Sequence, residues 1–105
     1  MKLKFMTAFA LSVAFAASAP VAMADEALAK QSGCLTCHSV AKKMVGPSFQ
    51  EIAAKYKGDA AAKDTLIASI KGGSKGKWGN VMMPANSPRV SDENIAKLAA
   101  YILAQ

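Results

Sequence analysis

Two thiols and an imidazole stand within five residues, Cys34-Leu35-Thr36-Cys37-His38, and they are the only cysteines and the only histidine of the 105-residue chain. In a helical turn, residues three apart lie side by side with Cβ atoms roughly 5–6 Å apart. Thiols so spaced can add to the two vinyl groups of a haem, and the imidazole of the next residue then swings under the ring to bind iron. The C-x-x-C-H spacing therefore reads as the attachment site of one covalent haem c. Cys34 and Cys37 are its thioether residues and His38 its proximal ligand.

Other chemistry at this spacing meets obstacles elsewhere in the chain. A thioredoxin-like redox pair needs a βαβ setting, and no stretch reads convincingly as a strand. A structural zinc site needs four ligands, which two cysteines and one histidine do not supply without carboxylates or water. A disulfide closing a two-residue loop would stabilise little, because the gain grows with loop length.

A haem held by one histidine has an open face, and what fills it separates electron transfer from small-molecule chemistry. A second histidine does not exist here. Methionine is the common alternative in c-type haem proteins, and Met44, Met82 and Met83 are the candidates beyond residue 24. Met44 lies six residues after His38, on the segment that packs the proximal side. Met82 and Met83, in a Gly-rich stretch before Pro84, are better placed to approach from across the ring.

The elements that must carry these residues can be read around them. Residues 1–24 have the form of a secretory signal: basic Lys2 and Lys4, an apolar run from Phe5 to Ala17, and Ala22-Met23-Ala24 as an A-x-A cleavage site. An uncleaved membrane anchor is the alternative, but Pro20 and the small residues favour cleavage after Ala24. Export, to the periplasm, also suits covalent haem attachment in an oxidising compartment. The 81 residues from 25 to 105 then make one small domain. Its formal charge is +4, from 11 basic and 7 acidic residues. A domain of this size has little core of its own, so a buried cofactor would form part of it.

Four helices are expected in that domain. The first covers about Glu26 to Gln31. The second runs from about Pro47, a favoured first-turn residue, to Lys57, with Phe49, Ile52, Ala53 and Tyr56 on one face. The third runs from about Asp59 to Lys71 with Leu66, Ile67 and Ile70 inward. The last is capped by Ser91, begins with Asp92 and Glu93, and buries Ile95, Leu98, Ala99 and Ile102 to about Leu103. Residues 72–88 show no periodicity yet contain Trp78, Met82 and Met83, which points to a functional loop. The fold class is all-α, with four to five short helices around one haem.

On these residues the chain resembles a class I c-type cytochrome, of the small bacterial cytochrome c-551 (c8) group, over nearly all of residues 25–105. The shared residues are Gly33-Cys34-x-x-Cys37-His38, Met44-Val45-Gly46-Pro47, Ile70-Lys71-x-Gly73-Ser74-x-Gly76-x-Trp78-Gly79, Met83-Pro84-x-Asn86 and Val90-Ser91-Asp92. The resemblance implies that Met83 is the sixth ligand and that the Pro47 carbonyl accepts from Nδ1–H of His38. It also implies that Trp78 lies beside a haem propionate and Asn86 near the methionine sulfur. Relatives often have proline where Met82 and Ala85 stand, so fewer φ angles are fixed in this ligand loop. Some carry an arginine near the propionates where Ser69 stands.

The function expected is that of a periplasmic monohaem one-electron carrier between respiratory complexes, for example from a quinol-cytochrome c reductase to a terminal nitrite reductase or oxidase. It is not expected to be an enzyme. Lys42, Lys43, Lys55, Lys75 and Lys77 are candidates for a basic rim that steers redox proteins with acidic docking surfaces. Nucleic-acid binding, lasting membrane insertion and oligomerisation are not expected. The rivals are a haem enzyme or gas sensor with an open iron site, which no distal histidine supports, and a thiol or metal-binding module.

Overall fold

The computed structural model describes residues 19–105, with side-chain surroundings from Asp25 onward. The expected leader at residues 1–24 lies outside the described residues, save for the backbone of 19–24, which begins the first helix. The elements in order are α1 (Ala19–Gln31), a 3-10 turn (Cys34–Thr36), α2 (Phe49–Lys55), α3 (Ala62–Gly72), β1 (Ser74–Gly76), β2 (Gly79–Met83) and α4 (Asp92–Leu103).

Helix α4 is the organising element, packed against α1, α2 and α3. It starts where its sequence dictates: the Ser91 hydroxyl accepts from the Asn94 N–H, and Asp92 and Glu93 occupy the first turn. Ile95, Leu98, Ala99 and Ile102 are buried, and Tyr101 at the edge of the stripe is buried with them. Phe49 and Ile52 of α2, Leu66 and Ile70 of α3, Ala29 of α1 and Val90 just before α4 complete the cluster. Each large apolar side chain removed from water contributes roughly 1.5–3 kcal/mol. The core is therefore small, as the length implied.

Helix α2 begins two residues later than Pro47, because Ser48 is extended (φ −66°, ψ 156°) and forms a capping box. Its hydroxyl accepts from Glu51 N–H at 3.0 Å, while Glu51 Oε2 accepts from Ser48 N–H at 2.9 Å. Helix α3 likewise starts at Ala62, since the Asp59 carboxylate accepts from the Ala61 N–H at 2.8 Å and holds the chain in a turn before it.

The expectation that no strand exists is corrected by an antiparallel hairpin within residues 72–88. Its two strands pair Ser74 with Met83 and Gly76 with Gly79, with an irregularity between. Lys77 and Trp78 form the turn between Gly76 (φ 80°) and Gly79 (φ 97°), left-handed backbone that glycine reaches without a Cβ penalty. Strands of three and five residues, mostly exposed, carry no alternation for a sequence reading to find. The helical class stands, and the hairpin is the arm that presents Met83.

Candidate haem site

The Cys-x-x-Cys-His segment leaves α1 through Gly33, whose φ of 81° turns the chain. Cys37 N–H and His38 N–H both donate to the Cys34 carbonyl, at 3.2 and 2.9 Å. This tight turn sets Cys34, Cys37 and His38 on one wall of an open cavity of about 310 Å³. Both thiols are free and half-buried. Burial pushes the Cys34 thiol above its ordinary 9.0, against a pull from the charge of Arg89 and from a backbone hydrogen bond.

The imidazole of His38 is fixed from three sides. Its Nδ1 lies 2.7 Å from the Pro47 carbonyl oxygen. A carbonyl can only accept, so Nδ1 carries a proton, and in the neutral ring the lone pair available to a metal is on Nε2. Phe49 stacks on the ring, with centroids 5.5 Å apart and planes 26° from parallel, and Tyr101 meets Phe49 edge-on at 5.8 Å. Behind the imidazole, Gly46 is so close that a Cβ there would come within 2.6 Å of Cε1. Only glycine fits.

A second wall is the hairpin. Met83 lines the cavity and packs against the core, half-buried. Its backbone is seated on Gly73 (φ 83°), where a Cβ would meet the Met83 carbonyl oxygen at 2.8 Å. Met82 also lines the cavity but is 65% exposed, and Met44 is half exposed and does not line it. Trp78 is partly exposed in the hairpin turn at the cavity rim, with the Lys55 ammonium 4.3 Å above its ring. Beside it the Lys77 ammonium donates to the Ser69 hydroxyl at 3.0 Å, and both side chains reach the cavity.

Asn86 is buried but does not line the cavity. Its side-chain Nδ2 donates to the carbonyls of Ile70 at 3.0 Å and Pro84 at 3.3 Å, so the amide knits the chain after Met83 to the end of α3. Arg89 completes this cluster by donating to Asn86 Oδ1 and to the Ser32 carbonyl. Sequence reasoning passed over Arg89, since nothing local links it to residue 32.

Comparison with known proteins identifies the architecture. The cytochrome c family profile matches residues 24–105. The chain belongs to the cytochrome c family. It is 49% identical over 85 residues to cytochrome c-551 of Allochromatium vinosum, covering 81% of this chain and 89% of that one. With cytochrome c-552 of Nitrosomonas europaea it shares 44% identity over 103 residues, covering 98% and 97% of the two chains. The crystal structure of Nitrosomonas europaea cytochrome c552 superposes with a TM-score of 0.72 at 46% identity, over 75% of this chain and 96% of that one.

This is a class I c-type cytochrome with one covalently attached haem c, a small monohaem electron carrier. The cavity fits such a cytochrome. Its volume lies in the range of about 300–1,000 Å³ typical of cofactor pockets. It is lined by Val45, Phe49, Ile52 and Leu66 on its apolar surfaces, and it brings two thiols, an imidazole nitrogen and a thioether to one space. Among the described residues no group of three or more His, Cys, Asp or Glu side chains is placed to hold a metal ion unaided.

Proposed function

We propose that Cys34 and Cys37 hold the haem by thioether bonds, that His38 and Met83 are its axial ligands, and that the protein is a periplasmic shuttle of single electrons between respiratory complexes. The observation that carries this reading is the placement of His38 and Met83 on the same cavity as the two thiols, with Nδ1 of His38 held by the Pro47 carbonyl. When bound, the haem supplies an iron that exchanges one electron without changing its ligands.

The residues around the cavity do the rest. Pro47, Phe49 and Gly46 hold the His38 ring in one orientation, and a ligating imidazole so held is a stronger and better-directed donor. The seat of Met83 on Gly73 fixes the opposite arm. Apolar side chains exclude water, and a neutral thioether ligand raises the potential. Trp78, Lys77 and Ser69 form the polar corner suited to the carboxylates of a haem edge. Filling both axial positions leaves no site for a substrate, which supports a carrier rather than an enzyme.

The cavity mouth supports the partner reading. Val45, Val81 and Met82 are 55%, 51% and 65% exposed beside it, and Lys43 and Lys77 stand among them on its lining. An apolar contact ringed by lysines suits brief docking on redox proteins with acidic surfaces, where area is small and charge steers approach. Among the described residues no helix is long and apolar enough to cross a membrane. The protein acts as an exported monomer, released from its leader after Ala24.

Intact mass of the exported protein tests attachment and export together. The expected species begins at Asp25, carries one haem, and loses the haem in Cys34→Ala/Cys37→Ala. A mass retaining residues 1–24, or a haem that dissociates in acid acetone from the wild type, contradicts the corresponding part.

A further inference from the structure

Arg89 lies on the link between the Met83 arm and α4, and one of its guanidinium nitrogens, Nη2, makes two hydrogen bonds. It donates to the Ser32 carbonyl at 2.9 Å and to Asn86 Oδ1 at 2.7 Å. Ser32 stands two residues before Cys34, and Asn86 three residues after Met83. Both acceptor residues are buried, with 6% and 8% exposure. Asn86 in turn gives its amide hydrogens to Pro84, next to Met83, and to Ile70 at the end of α3. Among the described residues, the bond to Ser32 is the one hydrogen bond that crosses from residues 84–90 to the thiol-bearing segment. Among the described residues Arg89 has no carboxylate partner, and the ion pairs join Lys71 to Asp92 and Lys97 to Glu93.

We propose that Arg89 is a positioning residue for the sixth ligand, locking the Met83 arm to the start of the haem-attachment segment and so setting how readily the methionine leaves iron. The inference rests on Met83 being that ligand. A cationic donor on two neutral oxygens makes stronger bonds than a neutral donor would. The pairing also closes a span of 57 residues between the chain that follows Met83 and the chain that precedes Cys34. With the Asn86 amide nitrogen already committed to two carbonyls, its Oδ1 is tied through Arg89 to Ser32, just past the end of α1. Opening the arm to release Met83 breaks these bonds. Removing them therefore lowers the cost of opening without touching iron, haem or either axial residue.

The test is displacement of Met83 by imidazole in the ferric holoprotein, followed by loss of the weak sulfur-to-iron charge-transfer band. Arg89→Gln is expected to bind imidazole at least about tenfold more tightly than wild type, the factor given by losing even one of its two charge-assisted hydrogen bonds. Arg89→Lys, which keeps a cationic donor, is expected to fall between the two, and it carries the test if Arg89→Gln yields no holoprotein. Ile95→Val, a core change outside the cavity, controls for general loss of stability and is expected to leave imidazole affinity unchanged. Equal affinity in wild type and the Arg89 variants overturns the proposal, and so does an increase matched by Ile95→Val. Met83→Ala separates the two levels of the argument. If that variant keeps the band, the ligand assignment itself fails and the inference with it; if it loses the band while Arg89→Gln behaves as wild type, Arg89 alone is refuted.

Discussion

Nδ1 of His38 donates to the carbonyl of Pro47 at 2.7 Å, across nine residues of chain, and Gly46 makes that approach possible. A Cβ at Gly46 would come 2.6 Å from Cε1 and 3.0 Å from Nδ1. Gly46→Ala is therefore expected to push the imidazole off its carbonyl partner. A less basic, less well-directed ligand stabilises ferric iron less, so the reduction potential should rise by some tens of millivolts, on the scale of about 59 mV per 1.4 kcal/mol for one electron. Voltammetry of purified holoprotein checks this, and an unchanged or lower potential contradicts it.

The capping box of α2 affects stability. Ser48→Ala removes the acceptor for Glu51 N–H and is expected to cost about 0.5–2 kcal/mol. Glu51→Gln keeps a side-chain acceptor for Ser48 N–H and should cost less. Guanidinium unfolding of the ferric holoprotein measures both. Equal midpoints for wild type and Ser48→Ala would show that the box contributes nothing.

Much of this arrangement was legible in residue spacing. The stripes at 49 and 52, at 66 and 70, and at 95, 98, 99 and 102 became helix faces because a 3.6-residue period survives any tertiary context that buries one side, while Tyr56 falls just past the end of α2. Ser91 announced α4. The Ser48-x-x-Glu51 pair was equally readable but was masked by the pull of Pro47 as a helix start. The hairpin was hidden for a physical reason: its strands are short, glycine-rich and exposed, and their pairing is fixed by positive φ at Gly76 and Gly79 rather than by side-chain pattern. Long-range bonds such as Arg89 to Ser32 leave no local trace at all.

Alkaline stability should report Tyr101. Burial, and after it the charges of Glu26 and Asp25, push this phenol above its ordinary 10.0. The folded protein thus holds the phenolic proton more tightly than the unfolded chain does. The stability this contributes is complete below pH 10 and is lost as pH rises through the higher folded value. Urea unfolding between about pH 9 and about pH 11 should show a steeper loss for wild type than for Tyr101→Phe. Parallel losses contradict the assignment.

The lysines at the mouth should steer anions. Lys43→Ala/Lys77→Ala is expected to slow oxidation of the ferrous protein by ferricyanide several-fold at about 10 mM salt, where the Debye length is about 30 Å. The difference should shrink at about 150 mM, where it is about 8 Å. Stopped-flow rates that match wild type at low salt would leave these two lysines without a steering role.

The central claim is that His38 and Met83 together close the iron, and carbon monoxide binding to the reduced holoproteins tests it most directly. Wild type and Met82→Ala are expected to resist carbon monoxide and to show the ferric sulfur-to-iron band. Met83→Ala is expected to bind carbon monoxide readily, to lose the band and to have a lower potential, since the thioether is gone. If Met82→Ala loses the band while Met83→Ala keeps it, the ligand is one residue earlier. If wild type itself takes up carbon monoxide readily, the iron is open and the carrier account fails.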